Sequence, residues 1–204
     1  GGGDVDHVLR VFEKARERGL STVVGITVTK KNLFELYETI SAAFLAGATQ
    51  LLLNRFLEGG RGRRHAQALS LSREELIEML DVAEQALDDA GRYGSVGTEL
   101  PLCIFDSKKY KRLEVSTGCS AAKGFFVIGP SGKARVCNHS PVELAHYSEI
   151  ETLKMDPYWM KFAQSDYLPA MCTGCEDIGR CAGGCREAAH IVGGAVDAPD
   201  ALLI

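Results

Sequence analysis

No apolar run in this 204-residue chain approaches the roughly 18 residues that a membrane-crossing helix requires. Neither sign of charge dominates, since 23 Lys and Arg stand against 27 Asp and Glu for a formal net charge of −4. A chain so balanced is not drawn to nucleic acid by its overall field, and it carries no acidic or basic tail. The opening Gly1-Gly2-Gly3 is not a basic region followed by an apolar core, so no secretory signal is read there. Aromatic residues are few, and neither an internal repeat nor a low-complexity tract occurs. These absences set aside membrane, nucleic-acid and secreted classes. A reducing, cytoplasmic setting is expected.

Glycine and cysteine are what the chain has in excess. There are 22 glycines and seven cysteines, and every cysteine except Cys103 lies at position 119 or beyond. An odd count with short paired spacings argues against a disulfide framework.

Hydrophobic periodicity divides the chain into two textures. Val8, Phe12 and Ala15 recur at helical spacing between Asp4 and Gly19, and Thr22 to Thr27 is β-branched and short, as a buried parallel strand should be. Asn32 with Glu35 reads as a capping box opening a helix that carries Leu33, Leu36, Ile40 and Phe44 and stops at Gly47. Gln50 to Asn54 returns as a Leu-rich strand. Ser72 with Glu75 is a second capping box, and Leu76, Leu80, Ala83 and Leu87 trace a core face ending at Gly91. This alternation belongs to an α/β fold with a parallel sheet, and two strands opening on a helix look like the back end of a larger barrel. A boundary is expected between positions 92 and 99. Beyond it, Leu100 to Phe105 reads as a strand, with Cys103 a small buried hydrophobe within it. Phe125 to Ile128, Gly129-Pro130-Ser131-Gly132 and Lys133 to Cys137 read as a β-hairpin. Asp156 caps a short helix with Pro157 at its first position and Trp159 and Phe162 inside.

Chemistry is concentrated in Cys172-x2-Cys175-x5-Cys181-x3-Cys185, with Cys119 and Cys137 upstream. Thiolates so close need a cation between them, and soft sulfur selects zinc or iron-sulfur clusters. The bland reading, six cysteines merely packed in a core, requires paired spacing to arise by chance. The four C-terminal thiols alone could make a structural zinc knuckle. Two further thiols exceed what one zinc needs, whereas a pair of clusters uses all six. Gly174, Gly179, Gly183 and Gly184 would let backbone approach inorganic sulfide, which also favours iron-sulfur. His139, two residues after Cys137, is either a further ligand or polar surface. Arg55, Arg61, Arg63 and Arg64 follow the second strand at the end where α/β sites lie, and suit a substrate carboxylate or a cofactor as well as an ordinary solvated loop. Thr27 and Thr29 lie at the matching end of the first strand.

The pattern Cys119-x12-Gly132-x4-Cys137, then Cys172-x2-Cys175-x5-Cys181-x3-Cys185, resembles the SPASM-domain radical S-adenosylmethionine enzymes. Cys181-Ala-Gly-Gly-Cys185-Arg186 looks like that family's C-x-G-G-C-R segment, and Asn54-Arg55-Phe56 with Gly60-Arg61-Gly62 is similar to a stretch ending its last barrel strand. The resemblance covers the whole chain. It implies that residues 1–95 are the C-terminal part of a partial (β/α)6 barrel and residues 96–204 a small cysteine-rich SPASM domain with a β-hairpin and short helices. Gly1 to Gly3 then read as a junction or as the end of an earlier strand.

Carried over residue by residue, the resemblance implies one auxiliary [4Fe-4S] cluster on Cys119, Cys137 and Cys185 and another on Cys172, Cys175 and Cys181. Leu203 stands where the family has its last cysteine, which leaves a carboxylate from Asp197 or Asp200, or an open iron, as the fourth position. Asn54 and Arg55 are the implied cofactor-binding residues. The family's C-x3-C-x2-C, which chelates S-adenosylmethionine through a third cluster, does not occur here and is expected in the N-terminal strands of the intact enzyme. Such an enzyme abstracts hydrogen from a peptide or protein side chain and draws electrons from a flavodoxin or ferredoxin. Within this class a modified peptide, a sulfatase-type protein and a tetrapyrrole side chain remain open as substrates. A different class, a non-catalytic electron-transfer or zinc-binding interaction module, is the alternative.

Overall fold

The computed structural model describes residues 3–204, so the reading of Gly1 and Gly2 lies outside the described residues. The chain divides into two compact units. The first ends at Thr98 and takes back Cys103–Ser116, and the second comprises Glu99–Leu102 and Thr117–Ile204. The expected division between 95 and 96 therefore falls inside a strand.

The first unit is α/β. Its strands β1 (Val23–Val28), β2 (Gln50–Arg55), β3 (Tyr93–Val96) and β4 (Leu113–Val115) form one parallel sheet in chain order. Val24 stands opposite Leu51, Leu53 opposite Val96, and Val96 opposite Val115. Helices α1 (Val5–Glu17), α2 (Leu36–Ala46), the single turn α3 (Ala66–Leu69) and α4 (Arg73–Ala90) lie between or before the strands. Leu36, Ile40, Ala43 and Ala46 of α2 and Leu76, Met79, Leu80, Ala83, Ala86 and Leu87 of α4 are buried. These faces supply the core with Val24, Ile26, Val28, Leu51, Leu53 and Val96.

Several expectations are corrected here. The sheet has four strands where two were read, because β3 and β4, at four and three residues, are too short to announce themselves. β1 alternates exposed and buried residues instead of being buried throughout, as a strand covered on one face must. Asn32 does not cap a helix. Its Oδ1 accepts from the Thr29 N–H (2.7 Å) and hydroxyl (3.0 Å) and its Nδ2 donates to the Thr27 carbonyl (3.1 Å), so it ties down the exit of β1. Ser72 does form its capping box with Glu75. Helix α1 is capped by Asp4 but buries no residue, and its Val5, Val8 and Val11 are exposed. Leu100 to Phe105 is not a strand, since Leu102–Ile104 is a 3-10 turn. Leu100 and Ile104 are buried at a spacing of four, and Cys103 is exposed. No helix among the described residues is long and apolar enough to cross a membrane.

In the second unit β5 (Val127–Ile128) and β6 (Ala134–Arg135) make the antiparallel hairpin expected around Gly129–Gly132. Gly132 has φ +78°, and a Cβ there would lie 2.4 Å from His146 Nε2, so the turn admits only glycine. After the 3-10 stretch Tyr147–Met155 come α5 (Pro157–Ala163), capped by the Asp156 carboxylate, and α6 (Arg186–Gly193). Phe162 packs against Tyr158 and Tyr167 at 5.4 and 5.5 Å between ring centroids.

Candidate metal centre

All six cysteines of the spaced pattern belong to the second unit. Cys119 and Cys137 share one buried apolar cluster with Ala121, Val136, Phe162, Tyr167 and Val196, against which Tyr158 and Trp159 pack. The Ala122 N–H donates to the Val136 carbonyl (3.2 Å), holding the two cysteine-bearing stretches side by side. Burial pushes both thiols up, Cys137 to about 12, so without a metal they stay protonated. The Glu99 carboxylate adds to the rise at Cys119, and Lys123 and Arg186 oppose it.

The second stretch is looser at its start. Cys172 is half-buried at the end of a 3-10 turn and Cys175 is exposed, the two joined by the Cys175 N–H donating to the Cys172 carbonyl (3.1 Å). Cys181 and Cys185 are buried. The Leu102 N–H donates to Cys181 Sγ (3.4 Å), and the Cys185 N–H donates to Asp200 Oδ2 (2.9 Å). Thr117 links the two stretches. Its hydroxyl donates to the Arg180 carbonyl (2.8 Å), and its own carbonyl accepts from the Ala182 N–H (3.2 Å).

Among the described residues no three His, Cys, Asp or Glu side chains converge closely enough to hold a metal ion. One tetrahedral zinc would need four ligands within about 2.3 Å of a single point. A polynuclear cluster distributes its thiolates over separate irons and does not impose that convergence. The donor set fits the cluster on chemical grounds, with six soft thiols, four of them buried, on stretches that already hydrogen-bond to one another.

Leu203 is half-buried in a 3-10 turn, Asp197 is exposed, and Asp200 is fully buried. Besides the Cys185 N–H, the Asp200 carboxylate accepts the Leu202 N–H through Oδ1 (3.0 Å), so it fastens the tail to Cys185. Gly183 and Gly184 are crowded by Pro169, Arg186, Pro101 and Asp200, whereas Gly174 and Gly179 face open space. Their lack of a Cβ therefore serves protein packing at the first pair. His139 is exposed.

Sequence reasoning missed a buried polar network beside Cys137. The Tyr158 hydroxyl donates to Glu187 Oε1 (2.7 Å), and Glu187 Oε2 meets His190 Nδ1 at 3.1 Å. Burial foremost, and the Glu187 hydrogen bond against the opposing one from Ser140, raise the Tyr158 hydroxyl. Glu187 is only 1% exposed, yet its place in an Arg-Glu pair opening an amphipathic helix looks like surface. No local pattern marks it.

In the first unit, Asn54 and Arg55 sit at the end of β2 on opposite faces of the sheet. Asn54 lies on the face away from the helices, accepting from the Thr98 hydroxyl (3.2 Å), and a Cβ on Gly97 would come within 2.8 Å of its Oδ1. Arg55 is buried on the helix-covered face. Arg61, Arg63 and Arg64 are exposed in the 3-10 segment Gly60–His65, and Thr29 is engaged with Asn32. The four arginines thus do not form one patch.

No family model matches the chain. It is 25% identical over 199 residues to the PqqA peptide cyclase of Granulibacter bethesdensis, a match covering 94% of this chain and 52% of that protein. The chain spans about half the length of the curated relative it matches.

Proposed function

We propose that this chain is the C-terminal part of a radical S-adenosylmethionine enzyme of the SPASM type that modifies a peptide or protein side chain. The observation carrying the reading is the six-cysteine pattern, with four of its thiols buried. The similarity to a protein named a peptide cyclase supports a peptide substrate. On this reading the first unit closes a partial (β/α)6 barrel and the second, which carries all six cysteines of the pattern, is the auxiliary domain. Cys119, Cys137 and Cys185 would hold one cluster and Cys172, Cys175 and Cys181 the other. When bound, such clusters accept and pass on single electrons at potentials set by burial and by hydrogen bonds to sulfur.

The chain's own residues prepare that setting. Phe162, Tyr167 and Val136 keep water from Cys119 and Cys137. The Leu102 N–H already donates to the Cys181 sulfur, the type of bond that raises a cluster's potential. Asn54 is our candidate for touching S-adenosylmethionine, supported by its position on the helix-free face at the carboxyl end of β2. Arg55, pointing the other way, is assigned to support of that strand end. A flavodoxin or ferredoxin would supply electrons, in a reducing cytoplasm of the kind that an odd number of closely spaced cysteines suits.

Anaerobic reconstitution with iron and sulfide tests the reading. The wild-type chain should turn brown and carry iron and labile sulfide, and a Cys175→Ser/Cys181→Ser variant should lose about half of both, the share of the cluster on Cys172, Cys175 and Cys181. Equal iron in the two proteins would overturn the assignment. One zinc per chain without visible absorbance would replace it with a structural zinc module.

A further inference from the structure

Arg186 is the largest fully buried side chain among the described residues, at 0% exposure. Among the described residues its hydrogen bonds go to main-chain carbonyls: Nε to Gly184 (3.2 Å), Nη1 to Val196 (3.1 Å), Ala198 (3.0 Å) and, at the limit, Tyr167 (3.5 Å), and Nη2 to Gly183. No carboxylate is among these partners. The two buried carboxylates of the same unit have other donors, Glu187 taking Tyr158 and His190 and Asp200 taking the N–H groups of Cys185 and Leu202. A buried guanidinium bonded to carbonyl dipoles is fully used as a donor, while its charge is shared with no directly bonded carboxylate and can act on other anions nearby.

The carbonyls it gathers come from three stretches. Gly183 and Gly184 lie between Cys181 and Cys185, Tyr167 precedes Cys172, and Val196 and Ala198 lead into the tail that Asp200 fastens to Cys185. Gly183 (φ +76°) and Gly184 (φ +87°) are both left-handed, which turns their carbonyls toward the guanidinium. One side chain thus sets the shape of the loop joining two of the proposed ligands.

We propose that Arg186 is the positioning residue and counter-charge of the cluster held by Cys119, Cys137 and Cys185, fixing the Cys181–Cys185 loop and offsetting the negative charge that thiolates and inorganic sulfide bring into the core. The inference rests on the cluster reading above.

The test uses the full 204-residue chain, reconstituted anaerobically with ferrous iron and sulfide, as wild type, Arg186→Gln and Arg186→Lys. Far-UV circular dichroism reports folding, iron per chain reports loading, and a redox titration followed by electron paramagnetic resonance reports the midpoint potential. Removing a buried cation disfavours the more negative, reduced cluster. Arg186→Gln should therefore shift the reduction equilibrium at least tenfold toward the oxidised form, about 59 mV for a one-electron couple. Arg186→Lys, with the charge kept but fewer and differently aimed donors, should lose iron while its remaining cluster titrates near the wild-type potential. A residue that only staples the loop would lower iron in both variants without separating their potentials, and that result overturns the proposal. So does a folded Arg186→Gln protein with wild-type iron and potential. If Arg186→Gln does not fold, Arg186→Lys decides alone, and a tenfold shift there refutes the charge argument. Wild-type protein that takes up no iron sinks the cluster reading and this inference with it, whereas wild type that loads beside an indifferent Arg186→Gln refutes only the role of Arg186.

Discussion

Removing the Glu84 carboxylate should cost the first unit its fourth strand. From α4, Glu84 Oε1 accepts the N–H of Lys111 (2.7 Å) and of Arg112 (3.1 Å), and Oε2 accepts the N–H of Arg112 (3.1 Å) and of Leu113 (2.9 Å). Three successive backbone donors, at the point where the chain enters β4, thus depend on one side chain. Hydrogen bonds to a charged acceptor contribute about 1.5–3 kcal/mol each, but water can replace Glu84 at the exposed Lys111, and bonds sharing one acceptor do not add. Counting the other two at the low end gives about 2–3 kcal/mol for Glu84→Ala. A loss of 2 kcal/mol lowers the folded-to-unfolded ratio about 30-fold. Glu84→Gln retains one accepting oxygen and should cost about half as much. Asp88→Asn is the contrast, since its exposed pair with Arg112 is screened by solvent and contributes little. Urea denaturation measures the totals, and amide hydrogen exchange should show the loss of protection concentrated at Arg112–Val115. Unchanged protection there in Glu84→Ala, or a stability loss no larger than that of Asp88→Asn, would refute the clamp.

Two further perturbations follow from the same structure. Burial first, then its hydrogen bond to Asp81, raises the Tyr110 hydroxyl above the ordinary tyrosine value. The unfolded chain therefore ionises this group before the folded one does. Its stabilising contribution is complete below about pH 10 and is lost as pH rises through the folded value, so a Tyr110→Phe variant should show a flatter alkaline decline in melting temperature than wild type. An equally steep decline would show that the hydroxyl is irrelevant. Gly184→Ala places a Cβ 2.5 Å from Asp200 Oδ2 at φ +87°. Backbone strain of about 1–2 kcal/mol plus displacement of a buried acceptor gives a loss of about 3 kcal/mol by urea titration. Gly179→Ala, with nothing within 4 Å of its Cβ, should change stability by less than about 0.5 kcal/mol, and equal losses in the two would refute the packing argument.

How much of the fold could be read from the residues depends on where each element finds its stabilisation. Helix α4 carries its own instructions, with Ser72 and Glu75 at one end, Gly91 in the left-handed conformation at the other, and buried leucines at helical spacing between. β1 and β2 announce themselves as β-branched or Leu-rich runs. β4 does not, because Leu113-Glu114-Val115 has no distinguishing local preference. It is fastened by Asp81, Glu84 and Asp88, which recur along one polar stripe of α4 and bind Lys109, Tyr110 and residues 111–113 across some thirty positions of sequence. That stripe reads as solvated surface until its partners are known. Asn32 fails for a related reason. The same side chain that suits a helix cap also suits the loop it closes on Thr27 and Thr29, and spacing to Glu35 cannot choose between them.

The candidate site shows the same limit from the other side. Cysteine spacing reports which sulfurs the chain offers, because ligand type and separation are local properties. Which of them are sealed from water is not local. Burial of Cys119 and Cys137 depends on Phe162, Tyr167 and Val196, the last of them 77 residues beyond Cys119. Arg186 is the sharpest case. Beside Glu187 at the start of a helix it has the composition of a surface residue, and only the convergence of carbonyls from residues 167, 183, 184, 196 and 198 reveals an interior cation. An interior cation is costly to a protein that does not use it. Its position at the junction of the cysteine loop, the segment before Cys172 and the C-terminal tail is therefore a more demanding observation than the cysteine count. A leucine there would leave the carbonyls of Tyr167, Gly183, Gly184, Val196 and Ala198 without this donor and would offer no charge to an anionic guest between these stretches.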